Sequence, residues 1–222
     1  MALSALLGKK LSMTQVWDDS GNVVPVTVLQ IGPCQVVQVK TADGKDGYDA
    51  VQLGYDPIPA RKGGAGDPRA NKPTRGHFAR HGAEAHRTIK EVRLASGETA
   101  PEAGSVLKVG DVFEGVSVVD VVGTSKGRGF AGCIKRHNFT TGPKTHGSKN
   151  YREPGSTGAG TSPGHVTKGK RMPGHMGAVR KTVRNLQVVK IEAEHNLLYV
   201  KGAVPGPRGG TILVRKARSP RN

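Results

Sequence analysis

The 222-residue chain has only two cysteines, no long apolar run and, over one stretch, almost no acid. Cys34 and Cys133 stand 99 positions apart, without paired spacing. That excludes a secreted disulfide framework and suits free thiols in a reducing compartment. No segment approaches the ~20 apolar residues of a membrane span. The opening "MALSALLGKKLS" has no charge before its short apolar run and no cleavage pattern, so it does not read as a signal peptide. The expectation is a soluble, cytoplasmic protein with no membrane partner. The basic stretch is too poor in acids to orient a catalytic histidine, so a hydrolytic triad finds little support. No period repeats along the chain.

What the chain has instead is positive charge. Thirty-four lysines and arginines against 17 acids leave +17. Such a charge opposes compaction by self-repulsion and points to a polyanionic partner. It is unevenly placed. Residues 124–184 carry 13 basic residues against one acid, Glu153, while the other 161 residues contribute only +5. The same stretch holds 12 of the 32 glycines, 4 of the 8 histidines and only 13 apolar residues in 61. It has too little apolar surface to offset its ordering entropy, so alone it is expected to be poorly ordered.

The remainder reads as β structure. "VVPVTVLQI" (23–31), "CQVVQVK" (34–40) and "YDAVQLGY" (48–55) are rich in β-branched residues and separated by Gly, Pro and Asp turns. Pro25 suits an edge or bulged position. The pattern returns at 88–94, 105–113, 116–123, 184–204 (broken by "EAEHN") and 211–216. Trp17 and Tyr199 read as core or half-buried strand residues. Helices are expected to be few and short, with candidates at 74–85 and 129–138, each weakened by glycine. The expected fold is mainly β: an antiparallel β-barrel body with few short helices and a long irregular basic extension. The body spans 1–123 and 185–222 and carries a smaller basic loop at 60–87. The extension spans 124–184 and returns to the same domain, because strand patterning resumes at once on its far side. Folded back as two arms of ~30 residues, it reaches at most ~100 Å.

The stretch "GTSKGRGFAGCIKRHNF" (123–139) looks built to hold phosphates. It fails the P-loop frame, because Gly127 is followed by Arg128 and Gly129 rather than Gly-Lys-Ser/Thr. "GRGFAG" (127–132) meets G-x-G-x-x-G, but no parallel strand or suitably placed acid follows. A polynucleotide needs no such frame. Lys126, Arg128, Lys135, Arg136, Lys144, Lys149, Arg152, Lys168, Lys170, Arg171, Arg180, Lys181 and Arg184 form a track that neutralises phosphates, and glycines let the backbone approach them. Phe130, His137, Phe139, His146, Tyr151, His165 and His175 are interleaved planar groups able to stack on splayed bases. Lys72, Arg75 and His77 extend the basic set in the smaller loop. Cys133, His137 and His146, with His165 or His175, have the chemistry of zinc ligands but not the paired spacing, so no metal is expected. No catalytic residue, cofactor or small-molecule substrate is expected either. The C-terminal "RKARSPRN" reads as a solvated basic tail. A general nucleic-acid-compacting protein, a nucleotide-binding enzyme and a basic loop without fixed geometry stay open as alternatives.

The segments "GTSKGRGFAG", "KRHNF", "THGS", "PGSTGA", "TSPGHV", "KGKRMPGHMG" and "VRNLQVVKI…NLLYVKGAVPG" occur here in succession. Together with "LLGKKLSMTQVWDDSGNVVPVTVLQ" and "NKPTRGHFARHG", they resemble the bacterial large-subunit ribosomal protein L three family over essentially the whole chain. The resemblance implies a β-barrel body on the ribosome surface and two extensions entering large-subunit rRNA. It also implies neighbouring ribosomal proteins and an early, non-enzymatic role in subunit assembly. In that family the longer extension approaches the peptidyl transferase centre. Gly155, Ser156, Gly158, Ala159, Gly160, Thr161 and Pro163 would form its tip. Many bacterial members carry a methylated glutamine there. This chain has Ala159–Gly160–Thr161 at the matching place and no glutamine between 124 and 184, so no such modification is expected.

Overall fold

The structure, a computed structural model, describes residues 3–59, 69–95 and 98–219. Three sequence readings therefore fall partly outside the described residues: the start of "MALSALLGKKLS", positions 60–68 of the smaller basic loop, and the last three residues of the C-terminal tail. In chain order the elements are β1 (Ala5–Trp17), β2 (Val23–Ile31), β3 (Cys34–Lys40), β4 (Ala50–Pro57), α1 (Lys72–Arg80), β5 (His86–Arg93), β6 (Val106–Leu107), α2 (Val109–Phe113), β7 (Val118–Thr124), β8 (Phe130–Ala131), α3 (Cys133–His137), β9 (Gly174–His175), β10 (Arg180–Glu192), β11 (Leu197–Lys201) and β12 (Thr211–Lys216). The protein is mainly β and antiparallel with few short helices, as its β-branched runs imply.

Two compact units divide the chain: Met1–Thr124 with Arg180–Asn222, and Ser125–Val179. In the first, six strands close in the order β1-β12-β7-β10-β11-β2. Closure gives every strand two hydrogen-bonded neighbours and removes free edges from the ring. A four-stranded sheet, β5-β4-β3-β6, accompanies it. One apolar core joins both: Leu6, Leu7, Leu29, Val121, Leu198 and Val214 from the barrel, Val36, Val51 and Leu53 from the second sheet, and Val109 and Phe113 from α2. Gly8 sits where β1 meets β2, and a Cβ there would collide with the Gln30 carbonyl. The strands approach at that point only because the side chain is missing.

β1 lies in the region read as β, although Lys9, Lys10 and Ser12 interrupt its apolar residues and its register with β2 shifts between Lys10 and Ser12. The structure departs from the sequence reading at three places. The run 105–113 is not one strand. Only Val106–Leu107 pairs, and Val109, Val112 and Phe113 then bury one face of α2. The Asp111 carboxylate accepts the Lys108 N–H (2.8 Å) at the start of that helix, satisfying an otherwise unpaired terminal donor. The helix expected at 129–138 shrinks to α3, because Phe130–Ala131 pairs as a strand. Trp17 is not a core residue: it is 71% exposed. Tyr199 is half-buried and donates to Glu192 (3.4 Å). Pro25, by contrast, lies one residue beyond Val26, the last β2 residue paired with β11, where a missing N–H costs no ladder bond.

Candidate nucleic-acid interface

The unit Ser125–Val179 buries only Ala131 and Cys133 among its described side chains. With so little apolar contact, its shape comes from hydrogen bonds and glycine. The outgoing and returning arms run antiparallel. Ser125 N–H donates to Val179 O (2.9 Å), Arg128 N–H to Met176 O (2.8 Å) and Met176 N–H to Gly129 O (2.9 Å). Beyond these rungs β8 pairs with β9, placing Phe130 opposite His175. Gly177 has φ +76°, and a Cβ there would strike the Lys126 carbonyl and Gly127. Only glycine allows the arms this close. Further out, the Arg136 guanidinium donates to Met172 O (2.8 Å), and a His137 ring nitrogen lies 3.1 Å from the same carbonyl. α3 ends at Asn138 in the left-handed region (φ 58°), a conformation asparagine tolerates.

The cations of this unit face outward. Lys126, Arg128, Lys135, Arg136, Lys144, Lys149, Arg152, Lys168, Lys170 and Arg171 are all exposed, as are His146, His165 and His175, while His137 is half-buried. None of the ten has a carboxylate partner among the described residues. Within the unit the sole acid is Glu153. Ten uncompensated charges on so small a unit generate a strong local potential that attracts a polyanion. Among the planar groups, Phe130 is 79% exposed and Tyr151 is exposed as well. Phe139 is half-buried, with its ring centroid 6.1 Å from that of His137. Such freely presented faces can stack on unpaired bases. An open cleft of about 620 Å³ runs between the α3 end and the 148–155 segment, lined by Phe139, Asn150, Glu153 and Arg171 among others.

Gly155, Ser156, Gly158, Ala159, Gly160, Thr161 and Pro163 are all exposed. Local bonds shape this turn: Lys170 Nζ donates to Ser156 O (2.8 Å), Ser156 Oγ to Gly158 O (3.2 Å), and Gly164 N–H to Gly160 O (3.1 Å). The remaining site residues from the sequence reading lie on the barrel unit. Arg180, Lys181 and Arg184 are exposed on β10, where Arg180 pairs with Thr124 and Lys181 with Gly123 of β7. Lys72, Arg75 and His77 sit on α1. There a His77 ring nitrogen lies 2.7 Å from Gln52 Oε1, and the ring packs at 5.0 Å against His81. His81 is held below its ordinary pKa, first by desolvation and then by His77 and Arg80 beside it.

Sequence reasoning named Arg184 and kept RNA contact by "RKARSPRN" (215–222) as a minority option, but did not foresee that these arginines converge on the barrel unit. Arg184, Arg215 and Arg218 line a cavity of about 730 Å³ with Asn185 and Asp120. Asp120 is buried, and it accepts Arg215 NH2 (3.1 Å) and the Asn185 N–H (3.0 Å). One charge is thus neutralised while two remain. The signal was weak, because Arg184 and Arg215 stand 31 positions apart and only strand pairing brings them together.

The other chemistries find no geometry. All strand pairs bracketing "GRGFAG" are antiparallel, whereas a dinucleotide frame needs a parallel βαβ unit. Cys133 is buried, with its thiol 4.0 Å from Arg171 O. Among the described residues no three His, Cys, Asp or Glu side chains converge as metal ligands. Cys34 is buried in the barrel unit, its thiol pushed up to about 12 by desolvation, which keeps it a protonated, unreactive group. Among the described residues no helix is long and apolar enough to cross a membrane.

The family model described as "Ribosomal protein L3" matches residues 81–196. The "Large ribosomal subunit protein uL3" of Pelotomaculum thermopropionicum is 52% identical over 217 residues, covering 97% of this chain and 98% of its own. The proteins of the same name from Heliobacterium modesticaldum (51%, covering 98% of each chain) and Thermotoga maritima (50%, covering 99% of this chain and 100% of its own) are similar over comparable lengths.

Proposed function

The chain belongs to the ribosomal protein L3 family, structural proteins rather than enzymes, and from that premise we propose that it binds large-subunit rRNA directly through its basic unit. The exposed cations of Ser125–Val179 neutralise phosphates, and its glycines and planar side chains fit crevices of folded RNA. Arg180, Lys181 and Arg184 on β10 and Lys72, Arg75 and His77 on α1 add contacts from the barrel unit. Gly155 to Pro163 form the tip that supports RNA near the peptidyl transferase centre. The barrel unit docks on RNA and neighbouring large-subunit proteins in the cytoplasm. Binding early, the chain stabilises an RNA tertiary arrangement and does no chemistry itself. The observation that carries this reading is the set of ten exposed cations without a carboxylate partner, on a unit with almost no core of its own.

The test is a titration of the purified protein against a large-subunit rRNA transcript, with tRNA and duplex DNA as competitors, at several salt concentrations. Binding to rRNA that survives excess competitor at physiological salt is the expected result. Equal competition by all three polymers, with binding lost at modest salt, would reduce the protein to a general compacting cation.

A further inference from the structure

The outer ends of β1 and β2 leave the barrel as a two-stranded ribbon. β12 follows β1 only to Lys9, and β11 follows β2 only to Val26. Beyond those points Met13–Trp17 and Val23–Pro25 pair in register with β1–β2 partners alone, apart from a bond from Gly202 N–H to Pro25 O (2.9 Å). Register sets Met13 opposite Thr27, Gln15 opposite Pro25 and Trp17 opposite Val23, so all six share one face. Thr27 is buried at the base, but Trp17 is 71%, Met13 54% and Val23 47% exposed, and Pro25 is exposed beside them. Val16, Val24 and Val26 on the opposite face are half-buried or buried. A lone exposed apolar residue needs no explanation. Four on one face of a ribbon, with the chain's only tryptophan at its end, form a patch of the kind used for association.

Charge selects the occupant. From Leu11 to Val39 there is no lysine or arginine, and the ribbon turn carries Asp18 and Asp19, in a chain of net +17. Asp18 spends its carboxylate on the turn, accepting Asn22 N–H (2.7 Å) and Ser20 N–H (3.1 Å), while Asp19 is exposed. Of the flanking cations, Lys10 is buried and donates from Nζ to Val204 O (2.8 Å), while the exposed Arg208 donates from Nε to Leu11 O (3.1 Å) at the ribbon's base. An RNA backbone is repelled by this tip, and a second copy would bring like charges together in an isologous contact. Aromatic and Met side chains are the enriched anchors of protein interfaces. We infer that this acidic, Trp17-tipped ribbon docks a basic protein surface that has an apolar recess for Trp17. The inference rests on the ribosomal reading above, which makes that partner a neighbouring large-subunit protein rather than RNA.

The experiment places a benzophenone side chain at position 17, 13 or 14 of the full-length chain. Each variant is reconstituted into large subunits with rRNA and total large-subunit protein, irradiated, and its adducts identified by mass spectrometry after nuclease digestion. Expected are adducts to peptides of a basic ribosomal protein from 17 and 13, but not from Thr14 on the other face. The adduct from 17 should weaken when Asp19→Lys is added. Adducts to nucleotides, or none from 17 and 13 in subunits that contain the chain, overturn the docking face and leave the ribosomal reading intact. Failure of the unmodified chain to sediment with subunits rejects both.

Discussion

The barrel unit and the basic unit satisfy the same backbone by different means. Around Phe113, Leu7 and Val121 the chain is held by buried apolar contact from three directions, and some of its charges are paired, as Lys9 is with Asp56 (2.8 Å) and Lys40 with Glu91 (2.9 Å). Between Ser125 and Val179 the order comes from a ladder of backbone bonds, a few side chain–carbonyl bonds and glycines at the crossings, with cations left unpaired outside. Hydrogen bonds exposed to water contribute only about 0.5–1.5 kcal/mol net each. The first unit therefore carries its own stability, whereas the second has little buried apolar surface to hold it.

Core substitution gives the sharpest contrast. Phe113→Ala, at a fully buried side chain, should cost about 3–5 kcal/mol in denaturant unfolding. Phe130→Ala, at an exposed ring, should stay within about 0.5 kcal/mol. Similar losses at both would show a core in the basic unit that its burial does not reveal. Next is the arm crossing: Gly177→Ala forces a Cβ into the Lys126 carbonyl at positive φ, a local cost of about 1–3 kcal/mol. Amide exchange should accelerate at 125–131 and 174–179 while the main unfolding transition stays put. A global shift would mean the two units unfold together.

A binding measurement comes third. Arg128 and Lys149 make no side-chain bond within the described residues. Arg128→Ala with Lys149→Ala should lower the salt slope of rRNA binding by up to about two phosphate contacts, with free-protein stability unchanged. An unaltered slope would show that neither reaches phosphate. The smallest effect belongs to the paired charges of the barrel unit. Lys40, then burial opposing it, and then Tyr48 set the balance that leaves the Glu91 pKa lowered. A lowered carboxylate contributes stability above its unfolded pKa and loses it as pH falls through the folded value. Glu91→Gln should therefore lower stability slightly at neutral pH and flatten the acid limb, the two proteins converging as pH falls below about 4.3 and the wild-type carboxyl is protonated. A matching acid limb in both proteins would show that this pair does not contribute.

Most strands were legible because β-branched runs ended at Gly, Pro and Asp turns, as at 23–31, 34–40 and 211–216. α2 was misread as strand, although Val109, Val112 and Phe113 stand at i, i+3 and i+4, with Asp111 placed to cap. β1 fell within the region read as β but was not marked off as a run of its own, because its bulge and lysines break the alternation. The cationic track was legible as composition. Its two arms were expected, but the rungs between them were not, because Arg128 bonds to Met176 and Phe130 pairs with His175 across more than 40 residues.

By itself the amino-acid sequence determined that the chain is mainly β and that one glycine-rich stretch carries most of the charge. These follow from local propensity and summed charge, which need no knowledge of partners in space. Only the tertiary structure decided that β1 closes the ring against β12, that Arg184 and Arg215 share a cavity, and that Trp17 points outward. A period of two assigns residues to faces, but strand partners distant in sequence decide which face is covered.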